Sequence, residues 1–295
     1  MRDQHVISEA LGHPWAITQH MAGVIANVLA RHIVRAEAVS VTPRAADAPA
    51  VAAGVMRLPI HGVITPHSDA FTDVSGLASF DDARLALAEA MADPNVTAIV
   101  LDIDSPGGSV AGATEFAQLL LAARQRKHIV AHANYEMCSA AYWLAACCSE
   151  VVASPSAIVG SVGVYSIHED LSAALEKLGV KLTYVAAGKF KVDGNDAAPL
   201  SESAHARLKA TVNAFYAQFV GDVARGRGLT TDAVISGYGE GTAVTAGEAL
   251  ALGMVDRIEP LAATLARAQA MPPKRDLIAA TRAELSRARV ALGLV

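Results

Sequence analysis

"TAIVLDIDSPGGSVAGATEFAQLLLAARQ", residues 97–125, decides the reading of the fold. Its opening, "TAIVLDID", is an apolar run of strand length, the pattern of a strand covered on both faces. "DSPGG" interrupts that run. Pro106 stiffens the chain, while Gly107 and Gly108 let the backbone come close to another group. From Ser109 to Gln125 the pattern is helical. A doubly covered strand, a tight turn and a helix form one unit of an α/β fold with a largely parallel sheet.

The same alternation continues on both sides. "VMRLPIHGVIT" (55–65) and "HIVAHAN" (128–134) read as strands, and "EVVASPSAIVGSVGVYS" (150–166) as strand–turn–strand. "KLTYVAAG" (181–188) also reads as a strand. Residues 79–93 predict a helix with Ser79 as its N-cap and Ala83, Leu87, Ala90 and Met91 on one face. Residues 200–228 predict a long helix ending near Gly226 or Gly228. Its aromatic face, Phe215, Tyr216 and Phe219, suits either core burial or a subunit contact. "TAGE" (245–248) has the form of a capping box, and Gly253 ends the helix that follows, before the strand "MVDRI". The expected layout is an N-terminal helical arm (1–37), an Ala- and Pro-rich linker (38–54), one main domain (55–260) and a C-terminal helical arm (261–295).

Composition narrows the function. The chain has 295 residues, 53% of them hydrophobic, enough for one large core. A net charge of −5 without a basic stripe sets nucleic-acid binding aside. Cys138, Cys147 and Cys148 lack the spacing of a metal site or disulfide framework and suit buried small positions in a reducing compartment. Nothing calls for a metal or cofactor. "MRDQHVISEA" is not a secretory signal, and the run Met21–Ala30 is too short to span a bilayer. A soluble, cytoplasmic protein is expected, with membrane contact the weaker alternative.

"EMCSAAYWLAACCSE", residues 136–150, raises the question of chemistry. Ser139 lies at the start of an apolar helix, with Ala140 and Ala141 allowing a tight turn that exposes its hydroxyl. Capping that helix is the commonest task of such a serine. The amides of Gly107 and Gly108, just before a helix, can face an oxyanion, although a plain strand-to-helix turn reads equally well. Among the 10 histidines none has an obvious acidic orienter in register. His132 reads as a packed strand residue, and His168 lies among acids. "AGKFKVDGND" offers another base, because Lys189 and Lys191 bracket Phe190. An amine serves as a base where desolvation brings it from about 10.4 to near 7, a difference of roughly 4 to 5 kcal/mol. Geometry read from sequence does not separate the two lysines.

In this order, "LDIDSPGGSV", "MCSAAYWLA", "SPSAIVGSVGVYS", "GKFKVDGNDAAPLSE" and "AVTAGEALALGMVD" make residues 57–260 resemble the signal peptide peptidase A family of serine peptidases. The branch most resembled is the phage minor capsid protein C type, which processes head proteins. A single peptidase core, no membrane anchor and the arm bearing "HPWAITQH" favour that branch over the cellular one. The resemblance implies a ClpP/crotonase-like α/β spiral with parallel sheet layers. It also implies a Ser–Lys dyad, with Ser139 as nucleophile and Lys191 as base. Gly108, with Gly107, and Ala140 would supply the oxyanion amides, and Gly160, Ser161, Val162, Gly163 and Val164 would line the substrate groove. Where the family often has a glycine after the serine, this chain has Ala140, which still donates its N–H. The implied partners are a polypeptide substrate, such as a capsid or scaffold protein, and further copies of the chain in a homo-oligomeric ring. Three alternatives compete: degradation of leader or membrane peptides, a catalytically silent ring-forming assembly factor, and crotonase-type chemistry on coenzyme A esters.

Overall fold

A computed structural model describes residues 15–18, 48–68, 78–274 and 289. Its first strands are β1 (Trp15–Ile17), β2 (Ala50–Ala52), β3 (Val55–His61), β4 (Ile64–Thr65) and β5 (Ala78–Ser79). Helix α1 (Phe80–Ala92) leads to β6 (Ala98–Ser105), β7 (Gly107–Ser109) and α2 (Ala113–Ala123). Next come β8 (His128–Cys138), α3 (Ala140–Ala146), β9 (Glu150–Ala153) and β10 (Ile158–Gly160). Helices α4 (Ser172–Lys177), α5 (Glu202–Arg227) and α6 (Thr231–Gly237) precede β11 (Ala243–Thr245), α7 (Ala246–Ala251), β12 (Arg257–Ile258) and α8 (Leu261–Gln269).

The main sheet has the order β11-β10-β8-β6-β3-β2, with β9 branching from β8 and carrying β12. Only its outermost strands, β2 and β11, run antiparallel to their neighbours. A second, four-stranded sheet has the order β1-β7-β4-β5. The result is the mixed α/β architecture of parallel sheet layers that the sequence predicts.

β6 shows why its sequence is mostly apolar. Ile99, Leu101 and Ile103 face the main core, while Ala98 and Val100 join Val55, Val130, Val152 and Ala268 in a smaller cluster beneath α8. Covering both faces leaves no room for alternation with polar residues. Asp102 is one of three polar residues in the strand, with Asp104 and Ser105. Buried on β6, it accepts hydrogen bonds from the Arg57 guanidinium at 2.8 and 2.5 Å. Burial would raise its pKa, but the bonds and charges of His61 and Arg57 outweigh that and hold it below the ordinary carboxylate range.

Several expected boundaries change. Residues 50–52, read as linker, form a strand of a hairpin with β3, turned by Ala53 and Gly54 at φ 47° and 79°. Residues 15–17, within the expected helical arm, form a strand in the second sheet. The helix expected over Met21–Ala30 lies outside the described residues. α8 is no peripheral arm, because its Thr264 and Ala268 are buried against the main sheet. Residues 181–188 form no strand. The segment pairs with no strand among the described residues, and Val185 is 97% exposed. The long helix matches its prediction, with Ser201 as N-cap and Gly228 as left-handed C-cap, and the Thr245–Glu248 capping box is formed.

His132 is the packed strand residue that was expected. Its ring is buried between Thr264 Oγ1 at 3.0 Å and Ser154 Oγ at 3.1 Å. Burial pushes its pKa below the ordinary histidine value. The unfolded chain therefore takes up a proton near pH 6.5 that the folded chain declines, and stability falls as pH drops below about 6.5. The melting temperature should decrease from pH 7.5 to 5.5, and His132→Gln should flatten that slope; thermal unfolding at a series of pH values checks it.

Candidate active site

β8 delivers the chain to Ser139, and α3 carries it away. Between them Ser139 adopts φ 54° and ψ −119°, a conformation that an L-residue occupies only when its surroundings impose it. Two backbone bonds impose it here. The Ser139 N–H donates to the Gly160 carbonyl at 2.7 Å, and its own carbonyl accepts from Trp143 N–H at 2.9 Å, beginning α3. Ser139 is thus the N-cap by position, but its side chain makes no capping bond. Its Oγ instead points to the Gly163 carbonyl at a long 3.4 Å. Of the two sequence readings, the capping role is absent, and the expected exposure is not found either, because Ser139 is fully buried.

The Pro106–Gly107–Gly108 turn lies against Ser139. A Cβ on Gly107 would stand 2.9 Å from Ser139 Cβ, 3.0 Å from Ala140 N and 2.2 Å from the Ala16 carbonyl oxygen. No side chain fits there, and φ of 107° suits only glycine. A Cβ on Gly108 would lie 2.0 Å from the Ile64 carbonyl oxygen. Sequence reasoning missed Ser105. Its buried hydroxyl accepts from the Gly107 N–H at 3.2 Å, so that amide is engaged within the turn and Gly108 carries the next one. A serine two residues before the glycine, in "DSPGG", was the available signal.

The residues expected to line a groove begin at the end of β10. Gly160 ends that strand at φ 119°, Ser161 turns at φ 54°, and Val162 is buried. Through the carbonyls of Gly160 and Gly163 this segment holds both the backbone and the hydroxyl of Ser139.

Lys191 sits in an exposed turn region before α5. Asp193 anchors that region by accepting from Ser201 at 2.7 Å, from Ser203 at 2.9 Å and from Arg207. Those hydrogen bonds, Ser201 foremost, draw the Asp193 carboxyl down to about 2. The two lysines now separate. The Lys189 ammonium lies 4.9 Å from the centre of the Phe190 ring, which Arg207 also covers at 4.2 Å. Lys191 makes no side-chain hydrogen bond or ion pair among the described residues, and within a single chain it is not hydrogen-bonded to Ser139. The histidines are placed elsewhere: His61 lies 3.5 Å from Asp102 and His67 2.7 Å from Asp81, acidic neighbours that the sequence did not reveal.

Burial raises all three thiols, with Cys147 pushed up to about 12, so none is a ready nucleophile. Among the described residues no group of acidic, His and Cys side chains could hold a metal ion.

The model of peptidase family S49 matches residues 122–272, a span that includes Ser139, the groove segment and Lys191. The chain belongs to peptidase family S49. It is 32% identical to the capsid assembly protease C of Escherichia phage lambda over 84% of its own length and 55% of that protein's. It is 35% identical to the head-tail preconnector protein GP5 of Enterobacteria phage P21 over 61% of its own length and 36% of that protein's. The chain therefore spans about half the length of the first of these relatives and about a third of the second. Among solved structures, a membrane protease specific for a stomatin homologue from Pyrococcus horikoshii aligns with a TM-score of 0.44 and 15% identity. That alignment covers 72% of this chain and 77% of the other.

Gly108→Ala should lower unfolding free energy by about 1–3 kcal/mol, because the Ile64 backbone cannot withdraw cheaply from the new methyl group. Denaturant titration beside the native protein measures the loss.

Proposed function

We propose that this chain is a serine endopeptidase with a Ser–Lys dyad that processes phage or prophage capsid or scaffold proteins. The observation that carries this reading is Ser139: a strained backbone turn, a hydroxyl that caps no helix and makes one long bond to the Gly163 carbonyl, and a glycine turn packed beside it. In the proposed reaction Ser139 Oγ attacks a peptide carbonyl while the Lys191 amine accepts its proton. The amide N–H groups of Gly108 and Ala140 hold the developing oxyanion. Lys191 then passes the proton to the departing amine, and water hydrolyses the acyl-enzyme. No metal or cofactor takes part. The segment Gly160, Ser161, Val162, Gly163 and Val164 pairs with an extended substrate, and its small side chains favour small or apolar residues beside the cut.

Lys191 would reach a serine of a neighbouring copy rather than its own. What supports this is the segment that carries it. Leu178, Leu182, Tyr184, Val185 and Phe190 are all exposed there, more apolar surface than a solvated loop usually shows. The aromatic face of α5 is not that surface. Phe219 is buried and stacks on Trp143 at 4.5 Å, while Phe215 and Tyr216 pack against the core. A homo-oligomeric ring follows, with each serine completed by the next chain's lysine. Its work would lie in the host cytoplasm or a procapsid, a reading supported by the similarity to a capsid assembly protease of phage lambda; among the described residues no helix is long and apolar enough to cross a membrane.

Ser139→Ala and Lys191→Ala should each abolish cleavage of a denatured test protein, with losses of at least about 10³-fold, while Lys189→Ala is mild. Neither loss should be accompanied by unfolding, which circular dichroism checks. Mixing the two inactive proteins under conditions of subunit exchange should restore activity. If mass spectrometry confirms exchange and no cleavage returns, the dyad is not shared between chains.

A further inference from the structure

β1 lies along the edge of β7 that an added strand would use. It pairs antiparallel with β7, the strand of the glycine turn, with Trp15 opposite Ser109, Ala16 opposite Gly108 and Ile17 opposite Gly107. The Thr18 N–H donates to the Pro106 carbonyl at 3.0 Å. Hydrogen-bonded and non-bonded pairs alternate along an antiparallel ladder, so Ala16 and Gly108 form the next bonded pair. The Ala16 carbonyl therefore faces the Gly108 N–H. Its oxygen also crowds the point on Gly107 that Ser139 Cβ and Ala140 N approach. The other edge of β7 is occupied by β4. A substrate adding a strand to β7 must use the edge that β1 fills, and Ala16 and Ile17 are buried in that position.

We propose that residues 15–18 are a resident peptide in the substrate position, with Ala16 placed as the residue whose carbonyl is attacked, and that the chain is latent until this strand leaves. The proposal rests on the peptidase reading and deepens it. It assigns the antiparallel direction in which a substrate binds to β7 and a small residue immediately before the cut.

The test locks the strand in place within the full chain. Trp15 and Ser109 are directly opposite in a non-hydrogen-bonded pair, where cross-strand side chains come closest, so Trp15→Cys with Ser109→Cys should oxidise to a disulfide. The native cysteines are buried and do not compete. The oxidised protein should show no peptidase activity, and reductant should restore it. In a Ser139→Ala background, a labelled peptide of residues 13–20, "HPWAITQH", should bind the reduced form at least about tenfold more tightly than the oxidised form. As a second variant, Ala16→Pro with Thr18→Pro removes two donors to β7 and should increase peptide binding about tenfold over the unsubstituted strand, the scale of one to two hydrogen bonds. Failure of the cysteine pair to oxidise, or equal peptide binding in both redox states, including none in either, overturns the proposal. Redox-dependent binding without hydrolysis in the Ser139 protein would uphold the resident strand and tell against the peptidase reading.

Discussion

Everything at this site depends on enclosing a helix that has no polar face. All seven residues of α3, Ala140–Ala146, are buried. A helix apolar all round is stable only when protein surrounds it, and here strands β7, β8 and β9 and helices α2 and α5 do so. Its two large side chains also carry polar atoms, and both are satisfied: Trp143 Nε1 donates to Asp222 at 2.9 Å, and Tyr142 Oη to the Met254 carbonyl at 2.9 Å. Asp222 is in turn held by Gln118 at 2.7 Å and Arg225 at 3.0 Å. The seating of α3 is what keeps Ser139 in a backbone conformation it would otherwise leave.

β8 makes that seating possible through its length. Its first half pairs with β9 and its last three residues with β10, so one strand serves two neighbours in succession. The change of partner brings the carbonyl of Gly160, at the end of β10, onto the amide of Ser139. On the opposite side the β6–β8 register shifts between Ile103 and Ser105, where the chain enters the glycine turn. Two separate segments thus meet at one residue because both flank the same strand end.

The sequence disclosed most where one residue's local chemistry decides the outcome. The apolar run that opens β6, the Ser79 cap and the Thr245–Glu248 box depend on neighbours a few positions away, and their reading matches the structure. Ser139 was visible as a small residue at a helix start, but capping and presentation differ only in where one hydroxyl points, which spacing does not encode. Lys189 and Lys191 were inseparable because their difference lies in Phe190 and Arg207, the latter brought near by α5. Residues 181–188 have strand composition but pair with no strand among the described residues, and composition says nothing of pairing. β1 was the largest omission. Three residues carry no periodicity, and their pairing with β7 spans about ninety positions of sequence.

The position of Lys191 has a consequence for counting. If the lysine of each chain serves the serine of the next, an open row of chains holds one complete site fewer than it has members, with an idle serine at one end and an idle lysine at the other. Closing the row supplies the missing site without adding a chain. Specific activity per chain would then report ring closure itself, and a short open fragment would remain measurably poorer than a complete circle of identical subunits.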